Sequence, residues 1–230
     1  SPRTNSTKRT DQYGGPSFHN RARFPLELVR AIRQAVGSQF IVIFRVSLWE
    51  LVDQGMAFAE AVLFAQELQH AGVNILTTGI GWHESRIPTI ASNVPRGAFV
   101  APTKQLKHEL EQAQKTLIAT AAHPTDRIPP IPAIVSTNRI NAPETIETLL
   151  QNDTSDLISM ARPFLADPDF ILKAYQSQPE AINTCIACNQ ACLDHAFVGK
   201  TASCLVNPAA CHEDELDFHT LQQQQQQQQQ

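Results

Sequence analysis

The sequence predicts an α/β chain built on a parallel sheet of four strands, followed by a cysteine-rich segment. Three observations carry this. Short apolar runs rich in β-branched residues alternate with stretches of helical periodicity. Strands of that kind, buried on both faces and separated by helices, belong to parallel sheets. A polar or cationic residue stands just past each run: Arg45, His83, Arg139 and Arg162. Three cysteines then fall within eight positions, Cys185, Cys188 and Cys192, and Cys204 follows after eleven intervening residues.

Residues 1–20 are polar and turn-rich, with Tyr13-Gly14-Gly15-Pro16, and read as loop. A helix follows. Pro25 suits its first turn, Phe24, Leu28, Ile32 and Ala35 share one face, and Gly37 ends it. The run at 40–44 is the first strand, with Arg45 at its end. The next helix covers 57–71 and stops at Gly72. A second strand at 73–78 leads into Gly79-Ile80-Gly81-Trp82-His83. Residues 103–122 read as an amphipathic helix with Leu106, Leu110, Ala113 and Leu117 on one stripe. Together with the Pro-rich 124–132 it makes a long excursion, expected to be a surface insertion at 103–132. The third strand is 133–137, followed by Asn138-Arg139 and a helix containing Ile146, Leu149 and Leu150. The fourth is 157–160, followed by Ala161-Arg162-Pro163. Asp167-Pro168 opens a last helix with Ile171, Leu172 and Tyr175. This divides the chain into an α/β part at 1–178, a cysteine segment at 179–215 and a tail at 216–230. The tail ends in a pure glutamine tract, expected to be disordered.

A net charge of −4 and the lack of any Lys/Arg run argue against nucleic acid as a partner. No apolar stretch reaches the length of a membrane span, and the N-terminus carries no apolar signal core. The expected compartment is the reducing cytoplasm.

Cys185, Cys188, Cys192 and Cys204 are the candidate metal ligands. Three close thiols with a distant fourth suit an iron–sulfur cluster. Zinc also takes four cysteines but usually in two matched pairs, and there is no second pair here. Five cysteines in all, an odd count, fit a disulfide framework poorly. The strand-end residues Arg45, His83, Arg139 and Arg162 would lie at the edge where parallel α/β folds bind ligands. Each taken alone could equally be a solvated loop residue. No Gly-x-Gly-x-x-Gly follows a strand, so a Rossmann dinucleotide site is not expected.

Several stretches resemble the NADPH-dependent 2,4-dienoyl-CoA reductases of the old yellow enzyme-like group. They are Arg9-Thr10-Asp11-Gln12-Tyr13-Gly14-Gly15, Asn20-Arg21-Ala22-Arg23-Phe24, Gly79-Ile80-Gly81-Trp82-His83-Glu84 and Arg86-Ile87-Pro88-Thr89. Thr137-Asn138-Arg139-Ile140-Asn141, Met160 through Asp167 and the cysteine segment complete the set. The resemblance implies the second half of an FMN-binding TIM (β/α)8 barrel followed by a 4Fe–4S segment. It implies that electrons from NADPH pass from FAD through the cluster to FMN, which reduces an unsaturated acyl-CoA. The domains for FAD and NADPH, the first barrel half and the family's catalytic tyrosine are not among these residues. Cys185, Cys188, Cys192 and Cys204 would ligate the cluster. Arg45 would face the pyrimidine side of FMN, and Arg139, Ala161 and Arg162 would hold its phosphate. His83 would deliver the proton, and Arg9, Glu84, Ser85 and Arg86 would line the acyl-CoA pocket. Half a barrel leaves open strand edges and uncovered inner faces, so the chain would need dimerisation, a partner chain completing the barrel or a rearranged fold. The alternatives are a non-catalytic remnant or another NADH:flavin oxidoreductase of the same group.

Overall fold

The structure, a computed structural model, describes residues 8–82, 84–121 and 128–216. The chain forms two compact units. One is drawn from Ser1–Thr89, Gly97–Asn138 and Glu147–Ser159, the other from Ile90–Arg96, Arg139–Ile146 and Met160–Gln230.

The first unit is a four-stranded sheet in the order β1-β2-β3-β4, with every neighbouring pair parallel. Its strands are β1 (Ile43–Trp49), β2 (Ile75–Ile80), β3 (Ala133–Ser136) and β4 (Leu157–Ile158). Helix α1 (Phe18–Val36) precedes β1, α2 (Phe58–His70) links β1 to β2, and α3 (Ala101–Thr120) links β2 to β3. Helix α4 (Pro143–Gln151) lies between β3 and β4 in the chain.

Side chains alternate across the sheet. Val46, Leu48, Leu76 and Ile134 point to the face covered by α2 and α3, where they meet Ala61, Ala65, Leu68, Leu106 and Leu110. Each leucine buried there contributes roughly 1.5–3 kcal/mol. Thr78 shares that face and spends its hydroxyl on Thr103 Oγ1 at 3.0 Å and the Val135 carbonyl at 2.9 Å. The opposite face carries a row in register, Arg45, Thr77, Val135 and Leu157. At the two edge strands this face is open, with Ile43 60% exposed and Leu157 46%, while Val135 in the middle is 5% exposed.

Three expectations need correction. The first strand runs Ile43–Trp49, not 40–44, and Phe40 and Ile41 lie outside it, exposed. The continuous apolar run hid the alternating Arg45-Val46-Ser47-Leu48, which is the half-buried strand pattern. Helix α1 starts at Phe18, and its buried stripe is Ala22, Leu26 and Val29. Phe24, Leu28, Ile32 and Ala35 are exposed instead. The excursion at 103–132 opens within a core helix, since Leu106 and Leu110 of α3 are fully buried on the sheet. The last helix buries Phe170 and exposes Ile171, Leu172 and Tyr175.

The second unit is built from short pieces: α5 (Arg162–Ala166), α6 (Phe170–Tyr175), a 3-10 turn at Pro179–Ala181 and α7 (Leu193–Phe197). Asp167, 2% exposed, is its hub. Its carboxylate accepts the Asn183 N–H at 2.7 Å, the Asp169 N–H at 3.0 Å and Lys173 Nζ at 2.7 Å. Burial alone would push this carboxyl up in pKa, but Lys173 and the two N–H groups outweigh it and hold it below its ordinary value. No helix among the described residues is long and apolar enough to cross a membrane.

Candidate functional site

The four cysteines that the spacing singled out line one cavity in the second unit. Cys185 is buried, and Cys188, Cys192 and Cys204 are half-buried. Ala187 and Asn189 both adopt left-handed backbone, φ 55° and 64°, so the chain reverses sharply on either side of Cys188. Cys192 stands just ahead of α7. The second loop is tied to the first by the Ser203 N–H, which donates to the Ala191 carbonyl at 2.7 Å. Three asparagine side chains fix these loops. Asn141 Nδ2 donates to the Cys185 carbonyl at 2.7 Å, Asn183 Nδ2 to the Ala166 carbonyl at 3.0 Å, and Asn207 Nδ2 to the Leu165 carbonyl at 2.8 Å. Among the described residues, the cavity lining contains no carboxylate and no imidazole, and its remaining wall includes Leu165, Ile186, Ala191 and Leu205. Four soft sulfur donors in an apolar wall suit iron–sulfur ligation chemically. Among the described residues, no three His, Cys, Asp or Glu groups converge as a single metal ion requires. A cluster makes no such demand, because each thiolate binds a different iron. Cys211 is exposed and outside the lining.

Arg139 and Arg162 belong to the same unit as the thiols. Asn138 and Arg139 are both left-handed, φ 68° and 55°, which turns the chain sharply after β3. Arg139 Nε donates to the Val94 carbonyl at 2.7 Å. Burial lowers the pKa of Arg139, and the neighbouring cations Arg162 and Arg96 lower it further, while Cys185 acts in the opposite sense. Cationic side chains gathered in this way are suited to an anion. Arg162 Nη1 donates to Asn189 Oδ1 at 2.5 Å, and the arginine lines the thiol cavity. Ala161 is the residue before α5. Sequence reasoning did not pick out Arg96. It sits in a Pro95-Arg96-Gly97 turn with no pattern to mark it, and only the folded chain brings it near Arg139.

The remaining candidates lie in the first unit. Arg45 is the third residue of β1, mid-strand and not past its end, on the face that is open at the edge strands, and exposed. It passes Gly79 of β2 closely: a Cβ at Gly79 would meet Arg45 Nε at 3.3 Å. Gly81 is left-handed, φ 79°, and a Cβ there would meet Thr89 Cγ2 at 2.9 Å, so only glycine fits this turn. His83 lies outside the described residues. Glu84, Ser85 and Arg86 follow in a turn held by the Ser85 N–H on the Trp82 carbonyl at 2.8 Å and the Ile87 N–H on Ser85 Oγ at 3.1 Å. Arg9 grips Asp11 with two bonds, 3.1 and 2.6 Å, and rests over the Tyr13 ring at 5.6 Å.

Comparison with known proteins matches residues 1–181 to the NADH:flavin oxidoreductase / NADH oxidase family. A metal reductase of Desulforamulus reducens is 40% identical over 223 residues, covering 97% of this chain and 30% of that protein. An NADH oxidase of Thermoanaerobacter brockii is 33% identical over 214 residues, 93% of this chain and 30% of that protein. Among solved structures, a complex of 2-naphthoyl-CoA reductase with 2-naphthoyl-CoA matches with a TM-score of 0.78 and 29% identity. That match covers 90% of this chain and 29% of the other. The chain therefore spans about 30% of the length of the curated relatives it matches.

Proposed function

Because the chain belongs to the NADH:flavin oxidoreductase / NADH oxidase family, we propose that it supplies the flavin-phosphate and iron–sulfur part of an oxidoreductase. In this reading the enzyme reduces an unsaturated acyl-CoA with electrons drawn from NADPH, in the manner of a 2,4-dienoyl-CoA reductase. The observation that carries the reading is the lining of one cavity by Cys185, Cys188, Cys192, Cys204 and Arg162. Likeness to a reductase solved with a CoA thioester supports the substrate class.

When bound, FMN supplies hydride chemistry and a 4Fe–4S cluster supplies single-electron transfer. The four thiolates hold the cluster. Arg139 and Arg162, with the backbone at Ala161, hold the flavin phosphate, whose charge relieves the repulsion that Arg139 feels. Arg45 places a fixed cation on the open face of the sheet, where it favours an anionic flavin ring. His83 serves proton delivery, and Arg9, Glu84, Ser85 and Arg86 line the acyl pocket. The resemblance assigns FAD and NADPH to separate domains.

Completion of the barrel belongs to the same proposal. Ile43 and Leu157 on the two edge strands, and Phe24 and Leu28 on α1, leave apolar surface uncovered. Further strands, in a longer polypeptide or a partner chain, cover it. A second reading, another reductase of the same group, is favoured by the 40% identity to a metal reductase.

The test is anaerobic expression with iron, followed by absorption spectroscopy and assay of iron, acid-labile sulfide and zinc. The expected product is a brown protein with about four iron and four sulfide per chain. Zinc in their place, or iron without sulfide, sinks the cluster assignment.

A further inference from the structure

Arg162 has a contact that phosphate binding does not explain. Among the described residues, it is the charged side chain in the lining of the thiol cavity. Its Nη1 donates to Asn189 Oδ1 at 2.5 Å, and Asn189 stands between Cys188 and Cys192. That loop holds its shape through the left-handed turn at Asn189 and the Asp194 N–H, which donates to the Asn189 carbonyl at 3.0 Å. At its other end Arg162 begins α5, whose Leu165 and Ala166 carbonyls receive the Asn207 and Asn183 side chains. The guanidinium is thus fixed at both ends to segments that carry the thiols. The guanidinium has five N–H donors, of which Asn189 takes one. Four remain for other acceptors, so a role at the cavity is compatible with holding a phosphate.

The surroundings make this cation effective. Among the described residues the lining offers no carboxylate to neutralise it, and much of the wall is aliphatic. Charges separated by such a wall interact more strongly than across water. A four-thiolate cluster is anionic and gains one further negative charge on reduction. The potentials of such clusters respond to nearby charge and to hydrogen bonds. A fixed cation favours the more negative state.

We propose that Arg162 sets the reduction potential of the cluster in this cavity, raising it by stabilising the reduced form, and that Asn189 is the positioning residue that aims the guanidinium. This rests on the cluster assignment above.

The experiment uses the full chain, reconstituted anaerobically with ferrous iron and sulfide. Midpoint potentials are read by dithionite titration, following the visible bleach and the EPR signal of the reduced cluster. Iron, sulfide and FMN are quantified in each sample. Arg162→Gln is expected to shift the midpoint to more negative potential at unchanged iron and sulfide content. Arg162→Lys, which keeps the charge, recovers most of that shift, and Asn189→Ala gives a smaller shift of the same sign. Equal potentials in wild type and Arg162→Gln overturn the proposal, whatever happens to FMN content. So does a Lys variant no different from the Gln variant. If Arg162→Gln takes up no iron, the Lys and Asn189→Ala variants decide: wild-type potential in Asn189→Ala together with a full Gln-like loss in Lys overturns it. Failure of the wild-type chain to bind iron and sulfide is a different result and defeats the cluster assignment itself.

Discussion

Asp167→Asn tests whether one buried carboxylate holds the thiol-bearing unit together. The native side chain accepts three hydrogen bonds, from the N–H groups of Asn183 and Asp169 and from Lys173 Nζ. A hydrogen bond to a charged group contributes roughly 1.5–3 kcal/mol. Asparagine keeps one acceptor oxygen but turns an amide NH₂ toward donors, so at least one N–H bond and the lysine pairing are lost. Lys173 is 29% exposed, and its share is discounted for solvent. The expected loss is about 2–4 kcal/mol. The assay is urea unfolding at pH 7, with pulsed alkylation and peptide mapping to follow Cys185 separately. Asn183 lies two residues before Cys185, so its release should raise the alkylation rate of that thiol. The carboxyl is held below its ordinary pKa in the folded state. Its contribution is therefore complete above the unfolded value of about 3.9 and lost as pH falls through the lower folded one. Wild type and variant should converge in acid. A loss below about 0.5 kcal/mol, within the range of an ordinary surface change, together with unchanged Cys185 alkylation, refutes the reasoning.

Two further outcomes follow from the first unit. Leu110→Ala removes a fully buried side chain of α3 and should cost about 2–5 kcal/mol in denaturant unfolding; a loss below about 1 kcal/mol would mean that α3 is not part of the core. Lys107→Met removes a cation that pairs with Asp153 and, at 2.8 Å, with Asp156, whose other oxygen accepts the Ile134 N–H at 2.7 Å. Both carboxylates are open to solvent, 75% and 39%, so the expected loss at pH 7 is only about 1 kcal/mol. Burial alone would lower the Lys107 pKa, but the two aspartates outweigh it and raise it. The stabilisation is complete below the unfolded value of about 10.4 and lost as pH rises through the higher folded one. Unfolding curves of wild type and variant that stay equally far apart above that range would contradict the assignment.

The sheet was legible because its strands are short, apolar and set between helices. What failed was the choice among faces. Helix α1 carries two apolar stripes, and the larger side chains, Phe24, Leu28 and Ile32, drew the eye. The sheet-side stripe is the smaller Ala22, Leu26 and Val29. No local rule separates two such stripes, because burial is decided by what the neighbouring element covers. The same holds for Phe170, 1% exposed beside Ile171 at 57%. In the site, the grouping of the thiols was readable because side chains on one loop are close in sequence. Asn141, Asn183 and Asn207 were not, because each acts on a backbone carbonyl 17 to 44 residues away. Arg45 was expected just past a strand end but stands mid-strand, since the apolar run before it masked the alternation in which it takes part.

The apparent surplus of apolar faces has a physical reading. A helix with two apolar stripes is suited to burial on two sides, and a sheet with apolar side chains on both faces is suited to two cores. In the first unit one side of each is satisfied by α2 and α3. The unsatisfied side bears Phe24 at 63% exposure, Ile43 at 60% and Leu157 at 46%. The last two lie on β1 and β4, the outermost strands of a wholly parallel sheet. Pairing at both edges and covering of that open face are the two things that closure into an eight-stranded barrel supplies at once. They would also enclose Arg45, which shares that face with Ile43 and Leu157. Exposed to water, its charge is screened and worth little. Enclosed by a second set of strands, the same guanidinium would become a preorganised cation in a site of low dielectric, the condition under which it could bias the charge of the flavin proposed above. The element that would complete the fold is then also the element that would make Arg45 functional.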